Sequence, residues 1–393
     1  MSDPWLSIIG LGEDSLDALP PASRAALDAA EVVFGGPRHL ALADVGARGQ
    51  PWPVPFSTAP VLAARGRRVA VLASGDPFWH GAGGSLVRDL TPGEWQCFSA
   101  PSVFSLAAAT LGWRMEEITC HGLHAAPYAR LRRVLAPNAR FLCTLRDSAA
   151  PAELAAWLTE IGAGAAEITV LERIGGPHAR VRTAPADAFG LEDIATPVAA
   201  AVTLPKDAGL PRGSGLPDAL FASDGQITKR PVRALTLSAL APRGGELLWD
   251  IGAGSGSIAV EWCLAGGRAI AIEQHASRVA NIRQNIADFG LDHLMQAVEG
   301  NASQAIETLD PPQAVFVGGG AKLPLLETLF ARLSPGTRLV INAVTLETEA
   351  LLTQMHATKG GDLMRVEIAQ AEPLGPLRGW RAARPIVQWS VTL

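Results

Sequence analysis

Leu247-Leu248-Trp249-Asp250-Ile251-Gly252-Ala253-Gly254-Ser255-Gly256, followed at once by Ser257-Ile258-Ala259-Val260-Glu261-Trp262, decides the class of fold in the C-terminal half of this 393-residue chain. An apolar run, a glycine turn and a helical run in succession read as strand, loop and helix. Glycines at alternate positions let the backbone turn sharply and approach a ligand closely, while the helix N-terminus offers free N–H groups. The next apolar run, Ala269-Ile270-Ala271-Ile272, ends in Glu273. That is about 20 positions after the first glycine, where a carboxylate can accept hydrogen bonds from both ribose hydroxyls of a nucleoside. A nucleoside ligand is therefore expected. A dinucleotide site carries Gly-x-Gly-x-x-Gly and turns the helix dipole toward a pyrophosphate. Here the third glycine comes one residue early, and Asp250 at the strand end sets a fixed negative charge where a pyrophosphate would be repelled. The same charge suits the cationic sulfonium end of S-adenosylmethionine, which favours a methyltransferase over a dehydrogenase.

Outward from this segment the alternation continues. A helix-period stretch around Val232–Leu240 precedes strand Glu246–Ile251, and strands Arg268–Ile272, Ala314–Val317 and Arg338–Ala343 follow with helices between them. Two strands in succession, near Arg365–Ala371 and Ile386–Thr392, close the chain. This pattern predicts a Rossmann-like, doubly wound, mostly parallel sheet with room for an antiparallel edge. Upstream, Pro205–Pro217 is too rich in Pro and Gly to continue a helix or a buried strand. It sets a domain boundary, with domains expected at 1–208 and 209–393. From Leu6 to Leu204, short apolar runs again alternate with helical ones: Leu6–Gly10, Val69–Ala73, Phe141–Leu145, Ile168–Leu171 and Val198–Leu204 read as strands of a second α/β domain.

Composition narrows the function classes. Apolar residues make up 48% and charged residues 18%, with a mean hydropathy of +0.19, which excludes a disordered or coiled-coil chain. Thirty-three Lys and Arg against 38 Asp and Glu leave a net charge of −5. A field of that sign does not attract nucleic acid, and an anionic substrate needs a local basic patch. Cys97, Cys120, Cys143 and Cys263 are scattered without a Cys-x-x-Cys pair, so neither a metal site nor a disulfide framework is expected. The first residues lack a signal-peptide pattern, and no apolar run reaches roughly 18 residues, so a cytoplasmic protein without a membrane partner is expected.

The C-terminal half resembles class I S-adenosylmethionine methyltransferases and, more narrowly, the decarboxylating precorrin methyltransferases of cobalamin biosynthesis. The narrower resemblance covers most of Gly215–Leu393. It rests on Gly215-Leu216-Pro217-Asp218, Gly225-Gln226-Ile227-Thr228-Lys229-Arg230, the Asp250 glycine turn, Val315-Phe316-Val317-Gly318-Gly319-Gly320 and Ile341-Asn342-Ala343-Val344-Thr345. The resemblance implies that Gln226 and Thr228 cap the cofactor, that Asp250, Gly252, Gly254, Gly256 and Glu273 hold it, and that Asn301 and Ala302 meet its adenine. On the substrate side it implies Gly319, Gly320, Asn342 and Lys229. Other readings of these residues stay open: Thr228 as a helix N-cap, Gly318–Gly320 as a plain turn, and Asn342 as a buried amide satisfied by backbone. Asp310-Pro311-Pro312 precedes the strand Ala314–Val317 and reads as a turn.

In the N-terminal half, Ile8-Ile9-Gly10-Leu11-Gly12 closes the first strand. Val69–Ala73 leads into Ser74-Gly75-Asp76-Pro77-Phe78-Trp79-His80-Gly81, and Ala100-Pro101-Ser102-Val103-Phe104-Ser105 opens a helical run. This order resembles the tetrapyrrole methylase family, class III methyltransferases of two α/β lobes, over roughly Leu6–Leu204. The resemblance implies that Gly75, Asp76, Pro77, Ser102, Val103 and Ser105 hold a second S-adenosylmethionine, with further contacts near Thr144-Leu145-Arg146 and Ala200–Thr203. The chain departs from the family at Glu13 and Asp14, which follow Gly12 where Pro-Gly is common. His80, His121 and His124 complete no metal-ligand set and are expected to bond a neighbour or a substrate carboxylate.

Two modules of unlike fold imply two methylations. The resemblance implies that the C-terminal module methylates C15 of precorrin-6B and removes CO2 from the ring C acetate, and that the N-terminal module then methylates C5 to give precorrin-8. A small-molecule tetrapyrrole partner, two S-adenosylmethionine sites, no metal and a homo-oligomer are expected. Arg114, Lys229, Arg230 and Lys322 are the cations available for the macrocycle's carboxylates. The competing reading is a class I methyltransferase acting on RNA or another small molecule, with a cofactor-sensing N-terminal domain.

Overall fold

The structure, a computed structural model, describes residues 4–14 and 16–393. The chain divides into two compact units. One comprises the residues up to Tyr128 together with Val134–Gly209, and the other Ala129–Arg133 together with Leu210–Leu393. The boundary after Gly209 falls inside the Pro- and Gly-rich segment. Assignment of Ala129–Arg133 to the second unit has no counterpart in the sequence pattern.

The first unit holds two five-stranded sheets. One is built from β1 (Leu6–Leu11), β2 (Val32–Gly35), β3 (Gly49–Pro51), β4 (Val69–Ser74) and β5 (Trp95–Phe98). Its order is β3-β2-β4-β1-β5, and every pair is parallel. β1 is buried along its whole length, as a continuous apolar run in a parallel sheet covered on both faces should be. The other sheet contains β6 (Thr119–Gly122), β7 (Arg140–Thr144), β8 (Glu167–Glu172), β9 (Arg180–Pro185) and β10 (Val198–Thr203) in the order β6-β7-β10-β8-β9. Only β6 and β7 run parallel; the rest alternate in direction.

The second unit holds β11 (Leu247–Ile251), β12 (Arg268–Glu273), β13 (Met295–Glu299), β14 (Ala314–Val317), β15 (Arg338–Ala343), β16 (Asp362–Val366), β17 (Ala369–Leu374), β18 (Leu377–Ala382) and β19 (Ile386–Thr392). A seven-stranded sheet runs β13-β12-β11-β14-β15-β19-β16, parallel up to β15, with β19 antiparallel to both neighbours. The mostly parallel sheet with an antiparallel edge is therefore present. The single strand expected near Arg365–Ala371 is instead two: β16 ends at Val366, and β17 pairs only with β18 as a separate hairpin.

Side-chain alternation in β11 divides the core. Trp249 and Ile251 pack on one face with Val315, Leu326 and Trp389. Leu248 packs on the other with Ile258, Trp262, Phe289 and Phe316. Asp250 shares the Leu248 face, which directs its carboxylate toward the helix Ser257–Leu264. The strand order reverses at β11, between β12 and β14, so the carboxyl ends of these strands form the crevice where doubly wound sheets take ligands. Among the described residues no helix is long and apolar enough to cross a membrane.

Candidate functional site

In the second unit the glycine turn after β11 has Gly252, Gly254 and Gly256 all at positive φ, +66°, +59° and +71°. Two of them also face backbone at close range. A Cβ on Gly254 would stand 2.8 Å from the Gln226 carbonyl oxygen, and one on Gly252 would stand 2.6 Å from that of Gly319. Side chains are therefore excluded both by conformation and by the two loops, Gln226 and Gly319, that press on the turn. Glu273, buried at the end of β12, accepts from the Gly254 N–H at 2.9 Å and from the His275 N–H at 3.1 Å. Each carboxylate oxygen keeps a further lone pair for a ligand hydroxyl.

Asp250 is fully buried. One oxygen accepts from the Ala259 N–H at 3.2 Å. The other, with the Ser255 hydroxyl, is buried without a hydrogen-bond partner among the described residues. Burial pushes the Asp250 carboxyl up to about 7, the Ala259 N–H opposes the rise, and the Glu273 charge adds to it. The charge taken as fixed from the sequence is therefore conditional, because a buried carboxylate without a counter-charge holds its proton near neutrality. Unsatisfied buried acceptors beside a glycine cradle fit a ligand carrying an ammonium or sulfonium and ribose hydroxyls, as S-adenosylmethionine does.

The remaining candidates of this unit take definite places. Thr228 is not a helix N-cap: the helix Arg230–Leu240 starts one residue later, with Lys229 at the cap position and no side-chain cap bond. The Thr228 carbonyl instead accepts from Arg233 Nη1 at 2.5 Å. Asn342 donates to Thr236 Oγ1 at 2.9 Å and accepts from Gln388 Nε2 at 2.9 Å, so its partners are side chains rather than backbone. Asn301 caps the short helix Ala302–Ala305 by accepting from the Ser303 N–H. Gly318 donates to the Ile251 carbonyl, and Gly320 has φ +74°.

Sequence reasoning missed the group that fastens the cap. Arg233, wholly buried, donates to Glu261 Oε1 at 2.5 Å, to Asp218 Oδ1 at 3.0 Å and to the Leu216 carbonyl. Its guanidinium lies 4.7 Å from the Phe221 ring. Glu261 also accepts the Gly215 and Leu216 N–H groups at 2.7 and 2.9 Å. Asp224 pairs with Arg278 at 3.0 Å and accepts the Gln226 N–H. The segment over Gly254 is thus held at both ends. One signal was readable: Glu261 lies in the helix Ser257–Leu264, buried nearly all round, and a carboxylate there requires a partner.

In the first unit the glycine-lined turn is equally tight. A Cβ on Gly10 would stand 1.9 Å from the Gly75 carbonyl oxygen, and one on Gly75, at φ +56°, would stand 2.9 Å from Ser102 Cα. Ser102 caps the helix Val103–Leu111 by accepting the Ser105 N–H at 3.1 Å. Asp76 Oδ1 accepts the Phe78 N–H at 2.8 Å, closing the turn after β4. A cavity of about 390 Å³ opens over this arrangement, lined among others by Gly75, Ser102, Val103, Phe104, Thr144 and Ala199. Asp76, Pro77 and Ser105 do not line it; they shape the turn and the helix start behind the wall. Thr144 Oγ1 is buried without a partner among the described residues. An apolar cavity with a few unmatched polar atoms fits a small ligand that is largely apolar and carries a few polar groups.

His80 and His124 line the same cavity, whereas His121 bonds Thr119 Oγ1 at 3.0 Å. Burial, and secondarily the charge of His80, holds His121 and His124 below the usual imidazole range. Arg114 is engaged by Glu116 and Glu117 at 2.7 and 2.9 Å. Among the described residues no cluster of three His, Cys, Asp or Glu side chains could hold a metal ion. Cys97, Cys120, Cys143 and Cys263 are free thiols.

Fold and sites together define a methyltransferase with two modules. Residues 6–189 match the family of tetrapyrrole (corrin/porphyrin) methylases, and residues 219–393 match the precorrin methyltransferase domain. A precorrin-6Y C(5,15)-methyltransferase (decarboxylating) from Sinorhizobium sp. is 45% identical, covering 99% of this chain and 96% of its own length. One from Mycobacterium tuberculosis is 40% identical over 98% of this chain and 99% of its own length. The solved C-terminal domain of precorrin-6Y C5,15-methyltransferase from Rhodobacter capsulatus is 60% identical, covering 47% of this chain and 100% of that chain, with a TM-score of 0.46. The chain belongs to the family of decarboxylating precorrin-6Y C5,15-methyltransferases. Membership implies use of S-adenosylmethionine, and it does not favour an RNA target or a merely sensing first domain.

Proposed function

We propose that the chain methylates C5 and C15 of precorrin-6B and decarboxylates its ring C acetate to give precorrin-8, with one S-adenosylmethionine site in each unit. The observation that supports this most is the pair of unlike cradles: the Gly252–Gly256 turn with Asp250 and Glu273, and the cavity over Gly75 and Ser102. When bound, S-adenosylmethionine supplies an electrophilic methyl group. In the second unit Glu273 orients the ribose, Asp250 faces the cationic end, and the Gln226–Thr228 segment, fastened through Arg233, covers the ligand. Ala302 and Asn301 border the adenine, and Gly319, Gly320 and Asn342 border the macrocycle. Lys229, Arg230 and Lys322, all exposed, take its carboxylates. In the first unit Gly75, Ser102 and Val103 form the wall, with Asp76, Pro77 and Ser105 holding its shape.

Transfer to an electron-rich meso carbon would break the donor's S–CH3 bond and leave a neutral thioether, so the residues of each cradle would contribute in-line positioning and no covalent nucleophile would be needed. Loss of CO2 would leave the bonding electrons on the conjugated macrocycle, and a proton from solvent would then complete the methyl group at the former acetate carbon. C15 methylation and decarboxylation belong to the second unit and C5 methylation to the first. Self-association is part of the same reading: the β17–β18 hairpin exposes Leu374, Leu377 and Trp380 at 69%, 74% and 79%, and a lone hairpin gains stability by packing on a second copy.

Mass spectrometry of precorrin-6B incubated with the protein and S-adenosylmethionine, counting methyl groups gained and CO2 lost, tests the assignment. Glu273→Ala should block the C15 step, and Asp76→Ala should yield a product with the C15 methyl and without the C5 methyl. Folded variants that each lose both reactions equally would overturn the division of labour.

A further inference from the structure

Arg38 and His39 stand just after β2 and line the same cavity as Gly75 and Ser102, as do Glu13, Gly36 and Ser74. Arg38 Nη2 donates to Ser74 Oγ at 2.8 Å and to His39 Nε2 at 2.8 Å, and Ser74 Oγ lies 2.9 Å from that ring nitrogen. A guanidinium only donates, so Nε2 is the acceptor and the ring proton sits on Nδ1. Burial, reinforced by the Arg38 charge, holds His39 down to about 4, so the ring is neutral at physiological pH. Its Nδ1 is buried and meets no hydrogen-bond partner among the described residues. A buried donor left in that state has lost its water without gaining an acceptor, which favours an incoming one. Nδ1 lies 3.5 Å from where a Cβ on Gly36 would be. Glu13, on the loop after β1, forms an ion pair with Arg38. A carboxylate of the protein itself thus occupies a guanidinium on the wall of a ligand cavity, beside an imidazole N–H that has nothing to bond.

We propose that Arg38, His39 and Ser74 form a carboxylate-binding subsite of the first unit's cavity, in which Glu13 is an exchangeable internal occupant displaced by a ligand carboxylate. Arg38 supplies the charge and the paired donors. Ser74 holds the guanidinium fork in place, and His39 Nδ1–H gives the incoming group a donor that Glu13 leaves unused. Replacing one carboxylate by another keeps the charge of the site constant, so the exchange buries no new unpaired ion. A switch of this kind favours polyacidic ligands over neutral ones of the same shape. The inference rests on the proposed function for the source of the carboxylate, which is either an acid side chain of the tetrapyrrole or the amino-acid end of the methyl donor.

Isothermal titration of the full chain with S-adenosylhomocysteine and, in a separate arm, with precorrin-6B distinguishes the sources without requiring turnover. Each variant is compared with the wild type, so the second unit's sites cancel. Arg38→Gln should weaken one of the two ligands by at least about tenfold, and Arg38→Lys should restore part of that loss. Glu13→Gln, which removes the competitor, should tighten the same ligand severalfold, a gain that misfolding cannot produce. An effect on precorrin-6B assigns the subsite to the substrate, and one on S-adenosylhomocysteine assigns it to the methyl donor. Affinities for both ligands unchanged within twofold in Arg38→Gln and Glu13→Gln would overturn the subsite while leaving the proposed function intact. Wild-type protein that binds neither ligand would overturn the functional reading and the subsite with it.

Discussion

At the scale of single residues, the telling group is Asp250, whose carboxyl is lifted to about 7 first by burial. A cationic ligand beside it favours the ionised form, so binding lowers this pKa and releases a proton near neutral pH. The sign follows directly: below about 7 the carboxyl must first lose a proton, and the affinity of the second unit for S-adenosylmethionine should fall by up to about tenfold per pH unit on acidification. Above that range the affinity should level off. Asp250→Asn should flatten the profile and weaken binding, whereas a wild-type profile already flat between pH 5.5 and 8 by equilibrium dialysis would contradict the role given to this carboxyl. Asp250, Glu273 and the glycines were legible in the sequence because strand, turn and helix are consecutive there. Arg38, His39 and Glu13 were not, since Glu13 lies on the loop after β1 and Arg38 and His39 on the short helix Pro37–Leu42 after β2, and they meet only when those parallel strands take their places on either side of β4.

At the scale of elements, the knot between the helices Arg230–Leu240 and Ser257–Leu264 decides where the cap lies. Arg233→Met would leave Glu261 buried with two backbone donors and no counter-charge. Breaking a buried pair from one side costs about 3–5 kcal/mol. Urea denaturation of the variant should show a loss of that order in the second unit's transition, together with weaker S-adenosylmethionine binding as the Gln226 segment loosens. A loss under about 1 kcal/mol would mean that the cap is held elsewhere. The strands that sequence patterning found, such as Val69–Ser74 and Ala314–Val317, are continuous apolar runs. Those it missed, Val32–Gly35, Gly49–Pro51, Trp95–Phe98, Thr119–Gly122, Arg180–Pro185, Met295–Glu299 and Leu377–Ala382, are short or carry polar residues. Several of them sit at sheet edges, where one side needs no partner and an apolar face is not demanded.

At the scale of the whole molecule, the β17–β18 hairpin, with Leu374, Leu377 and Trp380 exposed, is the surface proposed for self-association. Replacing Leu377 and Trp380 together by Glu should shift the protein toward monomer in light scattering while both units stay folded; a monomeric wild type would remove this assignment. The sequence by itself determined that there are two α/β units, where the connecting Pro- and Gly-rich segment lies, and that a strand, a glycine turn and a helix bring Asp250 and Glu273 to the same strand ends. Those features depend on neighbours along the chain, where strand period, turn conformation and spacing are written locally. Only the tertiary structure decided that Arg233 and Glu261 clamp the cap, that Asn342 is engaged by Thr236 and Gln388, that Asp250 holds its proton near neutrality, and that Glu13 meets Arg38 on a cavity wall. Each of these depends on burial and on partners brought together from separate elements, and neither the dielectric around a group nor its distant contacts can be read from the order of residues.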